Sequence, residues 1–326
     1  MRNKNSEPRS GCSMLIGCGS LAVISIFISL IIAASILGAY MPEIYAKSQG
    51  SAAEYSAYIT SLSETLYDKM NTFSQNNALQ TMINAAQIIV VLIVFKLLYK
   101  RPISQMGLST GNWLKNMGIG CLTGIISITL YPLIVSLSGI GMFTDFSISN
   151  LASVNMLLSL ICFVSVGFYE EILCRGFFMT ALKTTRNKWV ILILPAVIFG
   201  LMHWANPGFS VIPVINLMLF GLAFGYMLIK TGSIWMSIGY HIVWNFFQGN
   251  VYGIQVSGLD QTSTLMKYTQ AGSDILTGGS FGAEGGLICT AILLALLAYI
   301  HFGLNSAEPP DWTLESDLPF NTRHVR

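Results

Sequence analysis

The chain has 326 residues, 53% of them hydrophobic and only 10% charged, with a mean hydropathy of +0.62. Soluble domains carry about 25% charged residues, so this composition excludes an ordinary soluble protein and describes an integral membrane protein. The net charge is +2 with no basic block, which leaves nucleic-acid binding without support.

A run of about 20 apolar residues is long enough to cross a bilayer as a helix. Lipid cannot satisfy free backbone groups, so helices are the expected spanning structure. Eight runs qualify: 14–40, 79–99, 114–138, 151–181, 188–206, 209–230, 233–252 and 284–303. The first begins at LIGC, Leu15 to Cys18, which looks like a lipoprotein cleavage box. A signal peptide places its apolar run before the cleavage site. Here the run follows, so it reads as a span. The six cysteines form no CxxC pair and no zinc-like spacing, and they read as small hydrophobes.

Basic residues alternate between the connections. Arg2, Lys4 and Arg9 precede the first span; Lys100, Arg101 and Lys115 lie in the second connection. Lys183, Arg186 and Lys188 lie in the fourth, and Lys230 in the sixth. The first connection has Lys47 and Lys69, the seventh has Lys267, and the third and fifth have none. By the positive-inside rule both termini are cytoplasmic. The expected division is residues 1–78 as a first span with an extracytoplasmic polar connection, 79–304 as one core, and 305–326 as a polar tail.

Within these apolar runs ionisable residues recur. The fourth span carries Glu170, Glu171 and Arg175, the fifth Phe199 and His203, and the seventh His241 and Asn245. Glu171 and Arg175 are four apart and share a helix face, as are His241 and Asn245. Glu170 points about 100° away from Glu171, toward another partner. Phe199 stands one turn before His203 and supports its ring. The sixth span contains FGLAFG, Phe220 to Gly225, whose glycines read as close-packing sites. Glu170 is 13 residues from Lys183, His203 is 15 from Lys188, and His241 is 11 from Lys230. At 1.5 Å per residue these are roughly 20, 22 and 17 Å, one layer near mid-membrane. An isolated charge at that depth costs about 3 kcal/mol or more, so the set is expected to line a shared polar cavity. A carboxylate there can act as base and then acid, and a neighbouring imidazole can orient water. A second imidazole with an amide can stabilise an oxyanion. Glu170, His203 and His241 holding Zn²⁺ with a water is the other option. No GxSG, HExxH or GxGD site is present.

EExxxR, FxxxH and HxxxN on successive spans resemble the CAAX protease and bacteriocin-processing (CPBP, or Abi) family, which includes the Ras-converting CAAX endopeptidase. The resemblance covers roughly residues 101–250, and LTGGSFGAEGG, Leu276 to Gly286, looks like the tail of some bacterial members. It implies an all-α, polytopic intramembrane endopeptidase of about eight transmembrane helices around a conical cavity, in a bacterial plasma membrane. It implies that Glu170 and His203 activate water, that His241 and Asn245 form the oxyanion hole, and that Glu171, Arg175 and Phe199 shape the site. It favours no cofactor, with zinc as the variant, and a peptide or protein in or near the membrane as substrate. A non-proteolytic scaffold or bacteriocin-immunity protein, and a proton-using transporter, are the rival classes.

Overall fold

In the computed structural model the described residues are 40–74 and 76–304. They are mostly helical. Residues 40–48 are helical, and α1 (Ala52–Ser74) follows. The expected first connection is therefore largely a helix, although its polar sequence carries no apolar run. The expected first span, 14–40, lies outside the described residues apart from Tyr40.

The remaining elements are α2 (Asn77–Tyr99), α3 (Trp113–Leu137), β1 (Gly141–Thr144), α4 (Val154–Leu182), α5 (Lys188–Leu201), α6 (Val211–Thr231), α7 (Trp235–Phe246), β2 (Lys267–Gln270) and α8 (Leu287–Gly303). Their starts follow from local side-chain chemistry. Asn76 accepts from the Leu79 amide at α2, Ser153 from Met156 at α4, and Asn187 from Trp189 and Val190 at α5, each satisfying an orphan donor of the first turn. Gly232, at φ 67°, ends α6 in the left-handed conformation that glycine adopts without strain.

Among the described residues, α2, α3, α4 and α6 are long and apolar enough to cross a membrane. α5, α7 and α8 are shorter than expected. α5 has 14 residues, about 21 Å of helix, and stops at Leu201 rather than 206. His203 therefore lies in the turn beyond α5, not within a span. α7 has 12 residues and is extended by a π-helical turn, Phe247–Val251. A second π segment, Ile172–Phe178, interrupts α4 directly after the two glutamates.

α3 and α7 cross at backbone contact. A Cβ on Gly120 would sit 2.0 Å from the Met236 carbonyl oxygen, and one on Gly239 2.5 Å from that of Met117. Only glycine permits this approach. Gly221 of the FGLAFG run likewise leaves room for Ala196 of α5, as a close-packing site should.

The helix ends segregate into two faces. On one, Ile234 donates its amide to the Gly107 carbonyl, Trp235 Nε1 donates to Ser109 O at 2.8 Å, and Lys230 Nζ donates to His301 O at 3.1 Å. On the other, β1 pairs antiparallel with β2, Gly141 opposite Gln270. There too Asn150 donates to Thr264 O, Asn206 to Ser257 O, and the Gly258 amide to Phe281 O. Within the loop chain 252–286 the segment 281–286 is buried in protein, which is how irregular backbone survives near membrane depth.

Candidate active site

The two glutamates take different surroundings because consecutive helical residues point to different sides. Glu171 is fully buried. Its Oε1 accepts from Arg175 at 2.8 Å and from His241 Nδ1 at 3.1 Å. Arg175 is itself buried, with its guanidinium 4.4 Å from the centre of the Phe199 ring and 5.0 Å from that of Phe224. Its other amino group points at the Gly221 carbonyl, 3.4 Å away. A cation clamped between a carboxylate and two aromatic faces is adequately compensated for burial. The i,i+4 pair expected from spacing is present, and so is the Phe199 contact.

Glu170 turns the other way, into a cavity of about 270 Å³. Its Oε2 lies 3.8 Å from His241 Nε2, too far for a hydrogen bond, and among the described residues that buried oxygen has no hydrogen-bond partner. His203, Asn245 and Phe199 line the same cavity. The structure thus brings Glu170, His203, His241 and Asn245 around one space, as the motif spacing suggests.

Ring contacts assign the protons. A carbonyl oxygen can only accept, so His203 Nδ1, 3.0 Å from Phe199 O, carries a hydrogen. In the neutral ring this leaves Nε2 as a lone-pair acceptor. The rings of Phe199 and His203 meet edge to face, centroids 5.3 Å apart. His241 differs. Its Nδ1 donates to Glu171, and its Nε2 faces the second carboxylate; a hydrogen on Nε2 as well requires the imidazolium form, whose positive charge these two carboxylates offset.

The zinc alternative can be tested on geometry. Among the described residues no three His, Cys, Asp or Glu side chains converge closely enough to hold a metal ion. As placed, Glu170, His203 and His241 do not form a zinc ligand set.

One lining residue escaped the motifs. Glu284 is buried, and its Oε2 accepts from the Ser257 amide at 2.7 Å and the Ser257 hydroxyl at 2.6 Å. Ser257 O accepts from Asn206, whose amide is bound to His203 O. Glu284 therefore holds the loop that braces the His203 turn. The sequence did carry a signal: Glu284 is the only Asp, Glu, Lys or Arg between Asp274 and the end of α8.

Residues 152–247 match the family model described as type II CAAX prenyl endopeptidase Rce1-like. That stretch contains Glu170, Glu171, Arg175, Phe199, His203, His241 and Asn245, so the family resemblance carried by the motifs holds there. An uncharacterized protein of Bacillus subtilis (strain 168), YyaK, is 35% identical over 95 residues. That match takes in 26% of this chain and spans about a third (32%) of the relative. No solved structure matches.

Proposed function

From the Rce1-like character of residues 152–247 as premise, we propose that the protein is an intramembrane endopeptidase working by glutamate-activated water. The observation that carries this reading is the split between the two acids. Glu171 is held through its Oε1 by Arg175 and His241 and does not line the cavity, whereas Glu170, with no such ion pair to Arg175, presents its carboxylate to the cavity it shares with both histidines.

Water in the cavity donates one hydrogen to Glu170 and is oriented by His203 Nε2, the nitrogen left free by the Phe199 carbonyl. As Glu170 takes the proton, the oxygen attacks the scissile carbonyl carbon. The carbonyl electron pair moves onto its oxygen, which accepts hydrogen bonds from His241 Nε2–H and the Asn245 amide. Glu170 then returns the proton to the leaving nitrogen as the C–N bond breaks, base becoming acid. Arg175 and Phe199 touch no reacting atom; they hold Glu171 in place and, through it, keep His241 turned toward the cavity. A peptide segment in or at the membrane is the substrate this arrangement fits.

The test is cleavage profiling of membrane and secreted peptides with well-folded variants. Glu170→Gln and His203→Ala are each expected to abolish cleavage. His241→Ala and Asn245→Ala remove oxyanion donors and are expected to slow turnover on the order of 100- to 1000-fold, with smaller effects on substrate binding. Activity should survive strong chelation. Loss on chelation with recovery on added zinc would replace the metal-free route, and wild-type activity in all four variants would leave a scaffold or immunity role instead.

A further inference from the structure

The two faces of the molecule differ sharply in charge. The connections at one end, 100–115, 183–188 and 230–234, contain Lys100, Arg101, Lys115, Lys183, Arg186, Lys188 and Lys230, and no Asp or Glu. Hydrogen bonds between Ile234 and Gly107, Trp235 and Ser109, and Thr180 and Gln105 gather these connections at the same end. The connections at the other end, 139–153, 202–210 and 252–286, contain Asp145, Asp260, Asp274 and Glu284 against Lys267 alone. The β1–β2 ribbon and the Asn206–Ser257 bond gather those.

The cavity is open to only one of these ends. Asn206, Leu259 and Gln261, part-exposed loop residues of the acidic end, line it together with Asn77 at the start of α2. No residue from the cationic connections lines it. Toward that end it is closed by packed side chains: Phe224 lines the cavity, and Met227, Ile234, Met236 and Tyr240 lie beyond it, all 1% exposed or less.

Lys and Arg in short connections stay on the cytoplasmic side. We infer that the cavity opens away from the cytoplasm, and that its substrate is a polypeptide segment presented from the extracytoplasmic side: an exported chain, or the outer flank of a membrane anchor. The sidedness rests on charge and packing alone. That the occupant is a peptide rests on the endopeptidase reading above.

Two measurements on the full chain separate these. Asp260→Cys, exposed between Leu259 and Gln261, and Lys188→Cys, exposed at the cationic end, are treated with a membrane-impermeant maleimide in intact bacterial cells, against the unmodified chain as background. Asp260→Cys should label from outside and Lys188→Cys only after permeabilisation. In parallel, a pool of soluble randomised peptides is added outside proteoliposomes whose orientation the same labels report, and products are read by mass spectrometry. Vesicles exposing Asp260→Cys should cut the pool without detergent, and Glu170→Gln vesicles should not. Labelling of Lys188→Cys in intact cells, or cutting confined to vesicles of the opposite orientation, overturns the inference. Outside labelling of Asp260→Cys with no cleavage in vesicles or detergent supports the sidedness and overturns the endopeptidase reading.

Discussion

Arg175 holds Glu171 by a 2.8 Å ion pair, and Glu171 in turn holds His241. Removing one partner of a buried pair leaves an uncompensated charge and costs about 3–5 kcal/mol. Arg175→Ala should therefore lower abundance and thermal stability, whereas Glu170→Gln should keep both and lose activity. If Glu170→Gln collapses expression and Arg175→Ala remains stable and active, the two roles are reversed. Glu284 offers a second check. Glu284→Ala frees both Ser257 donors and should cost about 1–3 kcal/mol of stability, the penalty for buried polar groups left unsatisfied. Glu284→Gln keeps an acceptor and should recover part of it; melting of the detergent-solubilised variants reads both. An unchanged melting temperature in Glu284→Ala would mean that the Ser257 bonds do not brace the loop. The Glu171–Arg175 pair and the Phe199–His203 contact were legible in sequence because one helical turn connects them. Glu284 was not, since its partner is 27 residues away and reached only through tertiary folding. His203 reads as helical for a related reason: the expected span carries on past Leu201, while the helix does not.

The α3–α7 crossing decides how close α7, the helix of His241 and Asn245, stands to its neighbours. At Gly120 the obstacle to a side chain is a backbone carbonyl, which no rotamer change relieves. Gly120→Leu must push the helices apart and should cost about 3 kcal/mol or more, the upper end of overpacking. Gly118, two residues earlier with no atom within 4 Å of a built Cβ, is the control, and Gly118→Ala should leave folded yield unchanged. Equal yields for the two variants would remove the crossing as a determinant of the fold. The long helices were legible from apolar runs because α2, α3, α4 and α6 each exceed the length a bilayer demands. The π segments after Glu171 and Asn245 were not, because one wide turn scarcely alters a hydrophobic period. Such turns recur beside functional residues in helices, and both the helix of Glu170 and the helix of His241 and Asn245 have one here.

For the whole molecule, the charge alternation that the sequence displays as a list becomes two opposed ends in space. A cysteine placed in the segment 305–326 should resist an impermeant reagent in intact cells, because α8 ends beside Lys230 on the cationic side. Efficient labelling from outside would overturn the orientation. The sequence could count positive residues by connection, but it could not say which connections surround the cavity, because that depends on loops such as 252–261 folding back over the helix ends. The layer of Met227, Ile234, Met236 and Tyr240 has a consequence for the cell. A water-filled site between two compartments is a hazard to any membrane that stores energy as an ion gradient. On the proposed reading the site is a pit rather than a pore: water enters and peptide ends depart by the same opening, and among the described residues this packed layer separates the cavity from the cationic end. An endopeptidase built this way would run hydrolysis inside the insulating layer without short-circuiting it.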